Sequence, residues 1–208
     1  MKKFVFSLLF FALSMALCAQ MEERKGYIGL TMGASIPLGD FGDNSFSNAD
    51  AGFAQTGFNL TLVHFAYKFS ENFGMAASWM GTAHIAKIPS FYDPDMGIGY
   101  ESDEGMWSYG SLFVGLLASV PATDKLYFEF KPMIGYVVAS ISEFNVFVED
   151  QQGEALGFDL MGTMRYNFNE KWCALFNIDY FTAKPEFDYF KQSISSLNIN
   201  VGLAYRLR

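Results

Sequence analysis

Residues 196–208, SLNINVGLAYRLR, alternate strictly: Leu197, Ile199, Val201, Leu203, Tyr205 and Leu207 share one parity, and Asn198, Asn200, Gly202, Ala204, Arg206 and Arg208 the other. Successive side chains of a strand point to opposite faces, so this is a strand with two different surroundings. Seven earlier segments keep the same rhythm, and after residue 20 none carries a sustained 3.6-residue apolar stripe. The expected strands are about 26–38, 55–69, 73–86, 107–120, 125–141, 155–168, 172–184 and 196–208. In the second of them the period slips: Phe58, Leu60 and Leu62 lie on one parity and Phe65, Tyr67 and Phe69 on the other, which predicts a bulge near His64. Pro132 cannot donate to a ladder and predicts a bulge or a local break in the fifth strand.

The connections alternate in length. Those at 70–72, 121–124 and 169–171 are tight, while those at about 39–54, 87–106, 142–153 and 185–193 are long. Long and short connections therefore fall at opposite ends of an up-and-down meander. Short turns at one end, longer loops at the other and an even strand number are the layout of an outer-membrane barrel.

The two faces of the strands differ in the way that layout requires. The large face is Phe, Met, Leu, Tyr and Trp over more residues than the ~9–11 a tilted strand needs to cross a bilayer. The smaller face of the first, third and fourth strands is Gly, Ala, Ser and Thr, a poor solvent face and good filling for a narrow barrel. In hydrocarbon every backbone polar group must be paired, which an edge-free barrel achieves. Tyr27, Phe69, Phe73, Trp107, Tyr109, Tyr166, Phe168, Trp172 and Tyr205 near strand ends are candidates for aromatic girdles. The fold class is thus all-β: an eight-stranded antiparallel up-and-down transmembrane β-barrel preceded by a cleaved signal peptide.

That signal is MKKFVFSLLFFALSMALCAQ, with Lys2 and Lys3 ahead of an apolar run too short for a spanning helix. The domain division is 1–19 signal peptide and 20–208 barrel domain. Cleavage after Ala19 would remove Cys18, leave Cys173 alone and take the net charge from −8 to −10. Such a balance argues against nucleic acid, whose affinity rests on Lys and Arg neutralising phosphates. Charged residues make up 17% of the chain against ~25% in ordinary globular proteins, leaving little material for a wetted surface.

The stretches YIGL with SIPLGDF at 27–41, GFNLTLVHFAYKFSENFG at 57–74 and the terminal INVGLAYRLR resemble the small outer membrane protein beta-barrel domain (porin-family) proteins of Bacteroidetes-type bacteria. The resemblance covers nearly all of 21–208 and implies eight strands, with barrel insertion guided by the last one. Tyr205 and Leu207 are the candidate insertion signal, although Arg208 stands where such signals commonly finish on an aromatic.

Inward parity places Glu129, Lys131, Asp159, Arg165, Asp179, Arg206 and Arg208 in the lumen. A paired network filling the interior is expected, because an unpaired buried charge is costly and eight strands enclose only enough room for side chains. His64 and His84 are the sole histidines, and no GxSxG, P-loop, HExxH or paired-Cys spacing is present, so no catalysis, cofactor or metal is expected. The loop 87–106 carries Asp93, Asp95, Glu101, Asp103 and Glu104 against Lys87; its spacing fits no EF-hand and reads as a solvated acidic loop, with divalent-ion binding the sharper alternative. Phe91, Tyr92, Phe187, Tyr189 and Phe190 could contact a partner or pack over the barrel mouth.

The expected role is structural, adhesive or surface-interacting through extracellular loops, in the outer membrane with both termini periplasmic. Expected partners are membrane lipids and lipopolysaccharide, the barrel-assembly machinery and an unidentified surface ligand. Two rivals stand beside it: an outer-membrane lipid-modifying enzyme built on His84, and a soluble secreted β-barrel binding a small apolar ligand.

Overall fold

Alternation drives every strand of the structure, a computed structural model that describes residues 25–93, 98–142 and 151–207. The strands are β1 (Gly26–Pro37), β2 (Gly57–Lys68), β3 (Phe73–Ile88), β4 (Phe91–Asp93), β5 (Ile98–Tyr100), β6 (Asp103–Pro121), β7 (Leu126–Ser142), β8 (Gln151–Asn167), β9 (Trp172–Ala183) and β10 (Ile194–Leu207). Eight of them close in the order β1-β10-β9-β8-β7-β6-β3-β2, all antiparallel, while β4 and β5 form a separate hairpin in the connection from β3 to β6. The signal peptide 1–19, its cut site and Arg208 lie outside the described residues.

Twelve registered pairs between β1 and β10 make the closing seam, from Gly26↔Leu207 to Pro37↔Ser196. Following partners from Pro37 through Ser196, Phe181, Asp159, Met133, Gly115, Ala76 and Ala66 returns to β1 at Tyr27, ten residues from the start. A stagger of that size in eight strands belongs with a strand tilt of about 35–45°. The bore it encloses is just wide enough for side chains to fill.

Both irregularities sit where the chain chemistry puts them. β2 spends an extra residue against each neighbour, between Gly29 and Thr31 of β1 and between Met80 and Trp79 of β3. Leu62 and Val63 therefore both point outward, and the later apolar residues stay on the outer face although their parity changes. At Pro132 there is no bulge: the β6 pairing breaks between Gly115↔Met133 and Ala118↔Phe130 with register unchanged, while the β8 pairing runs through it.

The barrel wears its large apolar side chains outside. Leu116, Leu156, Phe73, Trp79, Phe158 and Val201 are all more than half exposed, and inward positions hold Thr, Ser, Asn, Ala and the ionic residues together with a smaller apolar set that includes Met80, Phe113, Met161 and Phe181. This inverts a soluble protein, and such a belt is covered when it lies in lipid. Phe69, Phe73, Tyr166, Phe168, Trp172 and Tyr205 ring the short-turn end on the outer face. Tyr27, Trp107 and Tyr109 are corrections: their parity turns them into the bore, where each is buried. The strands also run past the expected ends at the long-loop side, β3 to Ile88, β6 from Asp103 and β8 from Gln151, so Lys87, Asp103 and Glu104 belong to strands.

Candidate functional site

The interior is built as three polar or aromatic layers stacked along the bore. Nearest the short turns, Glu129 and Lys131 share the inner face of β7, two residues apart. The Glu129 carboxylate accepts from Lys131 Nζ at 2.9 Å, Arg165 Nε at 2.8 Å and Tyr27 Oη at 2.6 Å. Lys131 also donates to Tyr27 Oη at 2.7 Å and Thr163 Oγ1 at 2.6 Å, and meets His64 Nε2 at 3.1 Å. An ammonium has three N–H groups, so these three neighbours and Glu129 share its donors, and Nε2 of His64 can meet it only as an acceptor. On the other side of the ring the Asn177 amide nitrogen lies 3.2 Å from Nδ1 and donates to Thr31 Oγ1 at 3.4 Å. Arg165 completes its fork on Asn167 Oδ1 at 2.8 Å, its guanidinium 4.1 Å from the centre of the Tyr127 ring.

Strand order gives this layer its meaning. β1 and β7 are four strands apart whichever way one counts, so the Tyr27–Glu129 bond crosses the full width of the bore.

The middle layer holds Asp159 and Asp179, diagonal neighbours on β8 and β9, whose registered partners are Phe181 and Met161. Asp179 accepts from Asn198 Nδ2 at 2.6 Å and Asn200 Nδ2 at 3.4 Å; neither oxygen of Asp159 has a hydrogen-bond partner, and Asp159 is fully buried.

At the long-loop end the plug is aromatic. Phe41, from the short 3-10 turn Gly39–Gly42, is completely buried and packs edge-on against His84 and Trp107. The connection carrying it is pinned to the wall: Trp107 Nε1 donates to the Gly52 carbonyl at 2.8 Å, and Gln55 and Lys87 exchange backbone bonds with Ile85 and Phe53. Below it the Tyr109 hydroxyl meets Ser196 Oγ at 3.1 Å, and β6 and β10 are again four strands apart. His84 bonds Ser35 Oγ through Nε2 at 3.1 Å and the Gln55 carbonyl through Nδ1 at 2.8 Å.

No protein-family model matches the chain, and no curated protein sequence matches it. Its shape does find counterparts. The crystal structure of Neisserial surface protein A superposes with a TM-score of 0.58 at 9% identity, covering 88% of this chain and 97% of that one. Ail, the attachment invasion locus protein of Yersinia pestis, follows at a TM-score of 0.48 and 15% identity, over 88% of this chain and 99% of that one. The likeness to the first is one of fold: a small eight-stranded outer-membrane-type barrel.

Five of the expected lumen charges, Glu129, Lys131, Asp159, Arg165 and Asp179, are brought inside by the structure. Arg206 is a correction: β10 is near its end there, and the guanidinium reaches the Asn169 and Glu170 carbonyls of the last short turn at 3.2 and 3.4 Å. Tyr27, His64, Thr163 and Phe41 were missed as members of the site. Parity made the first three inward; their contacts depend on which strands face one another across the bore, which no single segment encodes. The acidic connection 87–106 is dismantled in part, since Lys87 and Glu104 pair across β3 and β6 at 2.8 Å. Among the described residues no group of three or more His, Cys, Asp or Glu side chains is gathered that could hold a metal ion. Of the loop aromatics, Phe187 packs against Trp107 and Phe190, over the mouth, and Tyr189 is exposed.

Proposed function

We propose that this protein is a small outer-membrane barrel that does its work through the surface its four long connections make outside the cell, as a structural or adhesive component. The carrying observation is that hydrogen bonds between opposite strands cross the bore at two levels, Tyr27 to Glu129 and Tyr109 to Ser196, with Phe41 seated above the second. A barrel so filled offers no general diffusion path, which leaves the loops as the surface that can vary with a partner. Membership of the Bacteroidetes-type porin family, periplasmic termini, and contact with lipopolysaccharide and the barrel-assembly machinery belong to the same reading, supported by the alternating connections and by Tyr205 and Leu207 on the terminal strand.

We assign no catalysis. His84 does meet a serine hydroxyl, but its second nitrogen faces a backbone carbonyl rather than a carboxylate, and Phe41 covers it. The test is protease shaving of intact cells, followed by adhesion of cells in which the connection between β3 and β6 is shortened. Cleavage within 89–102 on intact cells with loss of surface binding supports the reading; cleavage only after lysis overturns it. Lipid A altered by the wild type and unaltered by His84→Ala would instead establish the enzyme.

A further inference from the structure

Glycines on the two faces of the wall have different reasons to be there. At Gly33, Gly74 and Gly202, which face the bore, an added Cβ would come within 1.9, 2.0 and 2.0 Å of a backbone oxygen of the neighbouring strand, so closure itself demands them. Gly81 of β3 and Gly110 of β6 stand on the outer face, and neither has such a reason. A Cβ would meet nothing within 4 Å at Gly81 and only the Met80 carbonyl at 3.9 Å at Gly110, and neither glycine has a positive φ. There is room for a side chain, and an apolar one would suit a lipid-facing belt.

The two glycines are a registered pair, and the next row toward the long connections, Ala83↔Ser108, is also small. The Ser108 hydroxyl is turned onto Ser140 Oγ at 2.8 Å. The result is a furrow of about 600 Å³ in a belt otherwise built of large side chains. Beside it, in the same two rows, runs a ridge: Leu60 partners Gly81, and Phe58, half exposed, partners Ala83.

A ridge and a furrow side by side in shared rows are self-complementary under a two-fold axis parallel to the bore. Such an axis keeps height and exchanges left with right, so each ridge meets the other copy's furrow, an isologous contact. Lipid tails are as apolar as Leu, so in hydrocarbon it is fit, and not apolar burial, that favours protein over lipid as the filling. Charge agrees. The connection 39–54 carries Asp40, Asp43 and Asp50 without a cation, which repels a copy approaching there. Above the furrow, on the same two strands, exposed Lys87 and Glu104 pair at 2.8 Å and present both signs to an approaching copy.

We propose that the protein pairs with a second copy of itself through the outer face of β2, β3 and β6, Phe58 and Leu60 of each copy seated over Gly81 and Gly110 of the other. The pairing rests on the belt being lipid-facing and is independent of what the long connections bind.

The test takes the folded protein in detergent, checks it by its mobility change on boiling, and measures its mass by sedimentation over a range of protein-to-detergent ratios. Single-molecule photobleaching then counts copies in dilute lipid vesicles. The expected result is a dimer whose share rises with protein concentration. Gly110→Leu, whose side chain has room in the single barrel, should keep the mobility change and lose the dimer, and Phe58→Ala should weaken it. Leu156→Ala, equally exposed to lipid but on β8, should pair as the wild type does. A wild type that stays monomeric in both media overturns the proposal, as does a dimer that survives Gly110→Leu or is lost equally in Leu156→Ala. A monomeric wild type that retains a lipid which Gly110→Leu releases overturns it in favour of an acyl chain in the furrow. A wild type without the mobility change fails the barrel reading itself, and the pairing with it.

Discussion

At the residue scale the decisive fact about Glu129 is that it answers two cations at once. Buried ion pairs contribute little net stability against an apolar substitute, yet removing one partner strands the other. Glu129→Gln leaves Lys131 and Arg165 without a counter-charge in a dry bore and keeps only one of the two oxygens that Tyr27, Lys131 and Arg165 share. It is expected to cost about 3–5 kcal/mol in urea unfolding from detergent. A loss below about 1 kcal/mol would mean that the layer is wet. Outside the barrel, Asp43 accepts from Asn48 Nδ2 and the Ser45 amide, and these bonds hold its carboxyl below the usual carboxylate range. A depressed folded value means the contribution is present at neutral pH and lost as pH falls through it. Amide-exchange protection at Ser45 should therefore survive to more acid pH than an unpartnered carboxylate would allow, and Asp43→Asn should make it independent of acid. Residue identities of this kind were only half legible in the chain. Inward parity found the five lumen charges, but Arg206 has the same parity and sits outside the network because it lies at the end of its strand, a matter of height along the bore and not of face.

At the scale of elements the two-residue rhythm carried nearly everything, because lipid on one side and a packed bore on the other leave no position whose face is ambiguous. Trp107 and Tyr109 show the limit: being aromatic near a strand end suggested a girdle, whereas their parity pointed inward, and parity won. The strand ends were less legible, since past the apolar belt the ladder of β6 continues through Asp103 and Glu104, where backbone pairing and the Lys87 ion pair take over from the apolar alternation. The bulge in β2 gives the sharpest element-level expectation. Leu62 and Val63 both face outward as the doubled step of the bulge, so deleting Val63 restores unbroken alternation and leaves His64 and Ala66 in the bore and Phe58 and Leu60 outside, whereas deleting Ser78 from the unbulged β3 would force one half of that strand to exchange faces. The Ser78 deletion should abolish the heat-modified band on SDS gels, while deletion of Val63, like that of exposed Asp188 in the connection from β9 to β10, should leave it intact. A Val63 deletion that abolishes the band would mean that the bulge itself is required for closure.

For the whole molecule, eight strands staggered by ten residues fix a bore that side chains can fill, and the sequence then fills it with residues that bond across its diameter. Neither closure nor the crossing bonds follows from any one strand; they appear only when β1 lies opposite β7 and β6 opposite β10. The consequence is electrical. Reconstituted in planar bilayers, the folded protein, verified by its mobility change on boiling, should carry no steady ohmic current. Tyr27→Phe should stay closed, because the ring still occupies the bore when its hydroxyl is gone. Tyr27→Ala combined with Tyr109→Ala removes both spanning side chains, and should admit brief, small openings without the stable conductance of a porin, since Phe41 and the Lys131 network remain. A wild-type protein that conducts steadily would require a continuous water path past Tyr27, and with it a bore that the hydrogen bonds to Glu129 and Ser196 do not close.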